Sequence, residues 1–357
     1  MNADTINAIF GIGCTVAIFG ITGGGFWWMQ GKSERRRKRA LRNPPPLPLH
    51  RGDPLLGRLV DACGRQDLQT LQRELGAMQG DWQRRSYYLD AILLDLPRAR
   101  VALDRWVADA PQDPLARLLQ GIGLIAWAWE ARGTGLGSSV TEDGRRLFSE
   151  RLQLARQALR EAAALAPDDP HPWGELVLVG QASGEPDAVL EEAYQEALRR
   201  DPSSFHAHWR RVNSLLEKWS GQEHAARERA REVARAAAPG SDLPMLLAFA
   251  LAEERSARLR RSGHAAADAF GRAPAFRQEL EWAMRRSILH PAHVDGHGWA
   301  LLAVNWGAFL SRLVRDDATL RGLLERLGDK AGVCGWNIAE AKRPGYVAEA
   351  RVSVGLL

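Results

Sequence analysis

A proline that returns about every three dozen residues, each time shortly after an alanine, constrains this chain more than any other feature. Ala162 stands five residues before Pro167 in REAAALAPDDPHPW, and Ala197 stands five before Pro202 in QEALRRDPSSFHAHW. Trp173 and Trp209 follow these prolines by six and seven residues. The separations from Pro167 to Pro202 and from Pro202 to Pro239 are 35 and 37 residues. A proline forbids a helix from continuing, and an Asp or Ser beside it caps the next one. Each period therefore reads as a pair of helices. One pair cannot bury its own apolar stripe, so neighbouring pairs must stack.

The same offsets recur upstream, where Ala99, Leu103 and Trp106 precede Pro111 as Ala155, Leu159 and Ala162 precede Pro167. That unit is 56 residues long, and the polar, glycine-rich run over residues 133–146 is expected to supply the excess as a loop. Its glycines follow a helix instead of a strand and lack the lysine of a phosphate-binding loop, which argues against a nucleotide site. Further helices are expected in DPLLGRLVDACG, stopped at Gly64, in DLQTLQRELGAMQG, capped by Asp67, and in DWQRRSYYLDAILLD, capped by Asp81. Another is expected to end at Gly263.

With these residues in place, the repeat resembles the tetratricopeptide motif. Trp173 and Leu176 sit like its first-helix aromatic and leucine, and Tyr194, Ala197 and Pro202 like the aromatic, small residue and proline of its second helix. Val177 and Gly180 depart from the pattern. The wider frame, AWAWEARG followed by LAPDDPHPW, also resembles a bacterial family of helical-repeat proteins of uncharacterised function, a resemblance that implies no activity. The expected fold class is all-α, a tetratricopeptide-like solenoid of helical hairpins with one N-terminal transmembrane helix.

The expected transmembrane segment is residues 8–29, which carry no charged side chain. As a helix they would span about 33 Å, against a hydrocarbon core of about 30 Å. Trp27 and Trp28 mark an interfacial belt, and Lys32, Arg35, Arg36, Arg37, Lys38, Arg39 and Arg42 follow it. This order puts the body in the cytoplasm of a bacterial inner-membrane protein. The run beside a membrane span reads as topology and lipid contact, not nucleic-acid binding. Small residues four apart, Gly13 and Ala17, then Gly20 and Gly24, permit a homodimer through this helix. A proline-rich stretch, 44–48, spaces the body from the bilayer. The domains are then 1–31 as anchor, 32–52 as linker, 53–328 as solenoid and 329–357 as cap or tail.

No hydrolase elbow, dinucleotide fingerprint or P-loop occurs, so no catalytic or cofactor-binding residue is assigned and an interaction role is favoured over an enzyme. Three separated cysteines form no metal knuckle. The expected partner is a protein or peptide in the concave groove of the stack, contacted by Arg117, Gln120, Trp127, Trp129, His171 and Arg210. One alternative is a metal-dependent enzyme using His290, His293 and His297, with Asp295 nearby. Another is a lipid or small-ligand sensor built on the apolar helix around Trp127. His206 and His208, two apart, fall on different helix faces and read as structural.

Overall fold

The computed structural model describes residues 38, 42, 44, 46–133, 140–220, 222–295, 298–335 and 343–356. Among them there is no strand, and the chain is built from α-helices joined by short turns. In chain order these are α1 (Pro54–Arg65), α2 (Leu68–Gly76), α3 (Trp82–Ile92), α4 (Arg100–Asp109), α5 (Pro114–Arg132), α6 (Glu142–Leu165), α7 (His171–Ser183) and α8 (Asp187–Arg200). There follow α9 (Phe205–Ser214), α10 (Glu217–Ser220), α11 (Ala225–Ala236), α12 (Met245–Arg272), α13 (Pro274–Arg286), α14 (Gly298–Leu313), α15 (Asp317–Leu327) and α16 (Arg343–Ser353). Among the described residues no helix is long and apolar enough to cross a membrane. The expected span at 8–29 lies outside the described residues, so they lend an anchor no support.

The caps follow the sequence closely. Asp53, Asp67, Asp81, Asp113 and Asp316 each accept a hydrogen bond from a backbone N–H in the first turn of the next helix, as do the hydroxyls of Thr141 and Ser204. Such a cap is worth about 1 kcal/mol. Two details differ from expectation. Helix α1 runs through Gly64 and stops at Gln66, whose left-handed φ of 58° lets its N–H reach the carbonyls of Ala62 and Cys63. The long unit before Pro167 owes its length mainly to helix: α5 and α6 have 19 and 24 residues, against 13 and 14 in α7 and α8. The expected loop gives up residues 142–146 to α6, which Thr141 caps. Gly263 does interrupt α12, with φ 79° and ψ −177°.

The contacts divide the chain into two compact units. Of the described residues, the first holds 53–233 with 298–299, and the second holds 234–295, 300–335 and 343–356 together with those before residue 53. In the first unit α5 pairs with α6, α7 with α8, and α7 packs against α6 and α9 as well. This neighbour-on-neighbour arrangement is that of a helical repeat. Ala155, Ala162 and Ala197, the small residues of the period, are fully buried. Trp173 is covered by the Arg200 guanidinium, 4.9 Å from its ring centre.

Helices α7 and α9 are buried nearly all round, because α3 adds to what the hairpins cover. Gln83 of α3 clamps the α8–α9 turn: its amide nitrogen donates to Asp201 Oδ2 at 3.0 Å and to the Ser203 carbonyl at 2.7 Å, and its oxygen accepts the Phe205 N–H at 3.2 Å. Tyr87 of α3 meets Trp299 edge-on, and Trp299 also stacks on Phe205. The Trp299 indole N–H donates to Ser86 Oγ at 3.0 Å.

In the second unit the core gathers Leu246, Leu247, Leu251, Phe276, Leu280, Met284, Phe309 and Leu323. Phe249 stacks on Trp306 with ring centres 5.2 Å apart. The Arg286 guanidinium donates to the carbonyls of Ala234 and Ala237, satisfying groups that the end of α11 leaves open.

Candidate functional site

The most concentrated chemistry in the first unit sits where α7 crosses α9. His171 opens α7, its N–H donating to Asp169 Oδ1 at 3.0 Å, and Glu175 lies one turn on, on the same face. His206 and Arg210 are likewise one turn apart on α9. All four side chains are buried, Glu175 completely so. Gly174 makes the crossing close: a Cβ there would stand 2.5 Å from His206 Nδ1. The imidazoles of His171 and His206 therefore stack, with ring centres 4.1 Å apart and planes 18° from parallel.

Glu175 is the hub. Its Oε1 lies 3.0 Å from His206 Nε2, 3.4 Å from His171 Nε2 and 3.0 Å from Arg210 Nη2, which is also 3.3 Å from Oε2. Arg210 Nη2 reaches Asp90 Oδ1 of α3 at 3.0 Å, and Arg210 Nε donates to His206 Nε2 at 3.2 Å. A second buried ion pair, Arg85 of α3 with Asp169, sits at the start of α7. Burial pushes the Glu175 carboxyl up, but Arg210 and the two histidines prevail and hold it well below the usual carboxylate range. Burial, with His206 beside it, pushes the His171 imidazole down to about 4. His206 is also pushed down by burial, against the pull of Glu175. The cluster thus combines an ionised carboxylate with two neutral imidazoles.

Of the residues expected to contact a partner, His171 and Arg210 are brought together over Glu175, and both are buried. Arg117 lies 3.0 Å from Glu161 and 3.5 Å from Gln120, which donates to Asp104 at 2.9 Å. Trp127 has the guanidiniums of Arg151 and Arg100 at 3.5 and 4.3 Å from its ring centre. Trp129 is buried against Phe148 and Trp219. His206 and His208 do face different partners, for His208 contacts Tyr194 Oη at 2.7 Å and the Pro202 carbonyl at 3.0 Å.

Of the expected metal histidines, His297 lies outside the described residues. His290 is half-buried and accepts the Ala292 N–H, whereas His293 Nδ1 bonds the Gly240 carbonyl at 3.0 Å. Beside His293, burial and the nearby Asp295 push the Asp242 carboxyl up to about 7. An acid whose folded pKa is raised contributes stability below its unfolded value and loses it as pH rises through the folded one. Asp242→Asn is therefore expected to gain stability relative to wild type as pH climbs from about 4 to about 7, and to hold that gain above. Urea melts across this range check it, and a pH-independent difference would contradict it.

The second unit holds a cavity of about 410 Å³ lined by Arg255, Asp268, Gly271, Arg272, Arg277, Leu313, Val314 and Arg315. Four guanidiniums face one carboxylate, with Arg255 2.8 Å from Asp268 and Arg272 3.7 Å from it. Arg272 and Arg315 are exposed to solvent, and Leu313 and Val314 give the cavity an apolar wall. Its surplus of positive charge suits an anion. Neither this cavity nor Glu175 was singled out by the sequence, and His206 reads there as structural, although the i,i+4 spacings His171–Glu175 and His206–Arg210 are visible in it.

No family model matches the chain, and no curated protein matches it. Two solved structures show a similarity that spans most of the chain. The apo form of the quorum sensor NprR from B. thuringiensis is 14% identical, with 91% of this chain and 82% of that one covered at a TM-score of 0.31. NprR in complex with its cognate peptide NprX is also 14% identical, with 84% and 81% covered at a TM-score of 0.29. Matches of this quality carry neither a family nor a ligand over to this chain.

Proposed function

We propose that this chain is a helical-repeat scaffold that captures an acidic segment of a partner protein through the arginine-lined cavity. The observation that carries this reading is the pairing of four guanidiniums with an apolar wall in a cavity of about 410 Å³. Pockets of roughly 300–1,000 Å³ hold small ligands or side-chain clusters, and Arg is the side chain best matched to carboxylates. In the first unit the inner helices α7 and α9 are already covered, which makes them a poor surface for an external peptide. We therefore place the acidic segment at the cavity and not on α7 and α9.

From the sequence alone, the uncharged stretch 8–29 and the basic run after it support a single-pass anchor in a bacterial inner membrane, with the body in the cytoplasm. Protease added outside spheroplasts should then leave the body intact, and digestion there would reverse the topology.

The binding test uses the purified full-length chain and a fluorescein-labelled oligoglutamate peptide. Binding should weaken with salt and fall about tenfold or more when Arg272 and Arg315 are both changed to glutamate. Equal binding by that variant, or equal binding of an oligolysine peptide, would sink the reading. Both positions are exposed, so the folded state should tolerate the change.

A further inference from the structure

We propose that the cavity of the second unit receives a phosphorylated side chain, its dianion held by Arg255, Arg277 and Arg315; this rests on the acidic-segment reading above. The cavity exists because α12 folds back on itself. Arg255 and Asp268 are 13 residues apart, about 20 Å along a straight helix, yet their side chains meet at 2.8 Å. The reversal falls at Gly263, whose φ of 79° and ψ of −177° suit glycine. Arg258 lies over Phe270 across the same fold, 4.6 Å from the ring centre. Arg277 comes from α13 and Arg315 from the turn after α14, so the guanidiniums are supplied by three different elements.

The charges favour a phosphoryl group over a carboxylate. Asp268 is shared by Arg255 and, at 3.7 Å, Arg272. Arg277 donates to the Val314 carbonyl, and neither it nor Arg315 has a carboxylate partner among the described residues. Two uncompensated guanidiniums match a phosphoryl group, which carries about −1.5 to −2 at pH 7, whereas a side-chain carboxylate would neutralise one. Its three oxygens also accept N–H groups from several directions, while a carboxylate takes one planar fork. Arg255 Nε is buried and has no hydrogen-bond partner. Beside it Gly271 keeps the lining open, since a Cβ there would stand 3.4 Å from Arg255 Nε and 3.0 Å from Leu313 Cδ2.

The backbone at Arg315 points the same way. It lies in the left-handed region, φ 58°, where its N–H and that of Asp316 return to the carbonyls of Arg312 and Ser311 and end α14. Glycine suits such a turn best, and Gly184, φ 69°, closes α7 with the same pattern of bonds. An arginine in that conformation costs stability, and a charge needed at the rim of the cavity explains it. Leu313 and Val314 form an apolar wall, and a volume of about 410 Å³ leaves room for the side-chain stem that carries the phosphoryl group.

The test titrates fluorescein-labelled peptides with the purified full-length chain and reads anisotropy. Three peptides share one neutral sequence with phosphoserine, glutamate or serine at its centre, and the fourth is the oligoglutamate used above. The phosphoserine peptide should bind at least about tenfold more tightly than its glutamate counterpart. Its binding should weaken as pH falls from about 7 to about 5.5, because the second phosphoryl proton returns near pH 6, while oligoglutamate should not follow. Arg315→Gly should melt no lower than wild type yet lose about tenfold in affinity for the phosphoserine peptide, and Arg315→Gln should lose as much. The basic run at 32–42 is present in every chain, so binding there would survive both changes. Such survival, or equal affinity for the phosphoserine and glutamate peptides, would overturn the phosphoryl assignment. Oligoglutamate bound at the cavity in that case would leave the acidic-segment reading standing, whereas no binding of any acidic peptide would sink both. Inorganic phosphate should compete only at concentrations far above the peptide's, and equal potency would overturn the side-chain origin.

Discussion

Glu175→Ala is expected to lower the unfolding free energy by about 3–5 kcal/mol, the largest single-residue effect in the first unit. The reason is less the loss of attraction than what remains. Arg210 is buried and would face His206 with only Asp90 to balance it. Breaking an exposed pair such as Arg146 with Glu150 should leave stability almost unchanged, and serves as the control. Denaturant melts of the two variants, read at unchanged slope, make the comparison. A cost below about 1 kcal/mol for Glu175→Ala would mean that the cluster is hydrated and not the closed network described.

Gly174→Ala should destabilise by about 1–3 kcal/mol, although alanine is the better helix former by up to about 1 kcal/mol. The steric term wins because the new Cβ meets His206 Nδ1 at 2.5 Å and Cε1 at 2.7 Å, and the ring has His171 stacked against it. In a His206→Ala background the obstruction is gone, and Gly174→Ala should become neutral or stabilising. The double-mutant coupling should then exceed about 1 kcal/mol. Additive effects would place the cost of Gly174→Ala elsewhere in α7.

The helical architecture was legible because its signals are local. Aspartates before apolar runs, a proline shortly after Ala162 or Ala197, and Gly263 at a helix break each act within a few residues, and the structure follows them. The length of α5 and α6 was misread because GTGLGSSVTEDGRR looks like one loop, while Thr141 and the acidic residues at 142 and 143 in fact start a helix. The buried cluster was legible only in halves. His171–Glu175 and His206–Arg210 each carry the spacing of one helix face, but nothing local shows that Gly174 lets the two faces meet. Asp90 and Arg85, far away in sequence, are joined to them only by the packing of α3. The arginine cavity draws on α12, α13 and the end of α14, so no window of sequence contains it.

The most direct test of the scaffold reading is photocrosslinking in cells, with a photoreactive amino acid placed at position 272 on the rim of the cavity and the adducts identified by mass spectrometry. The account predicts one dominant adduct, mapping to an acidic segment of a single partner, that disappears when Arg315 is changed to glutamate. Adducts to a neutral or basic segment, or an acidic adduct that persists in the Arg315→Glu chain, would contradict it.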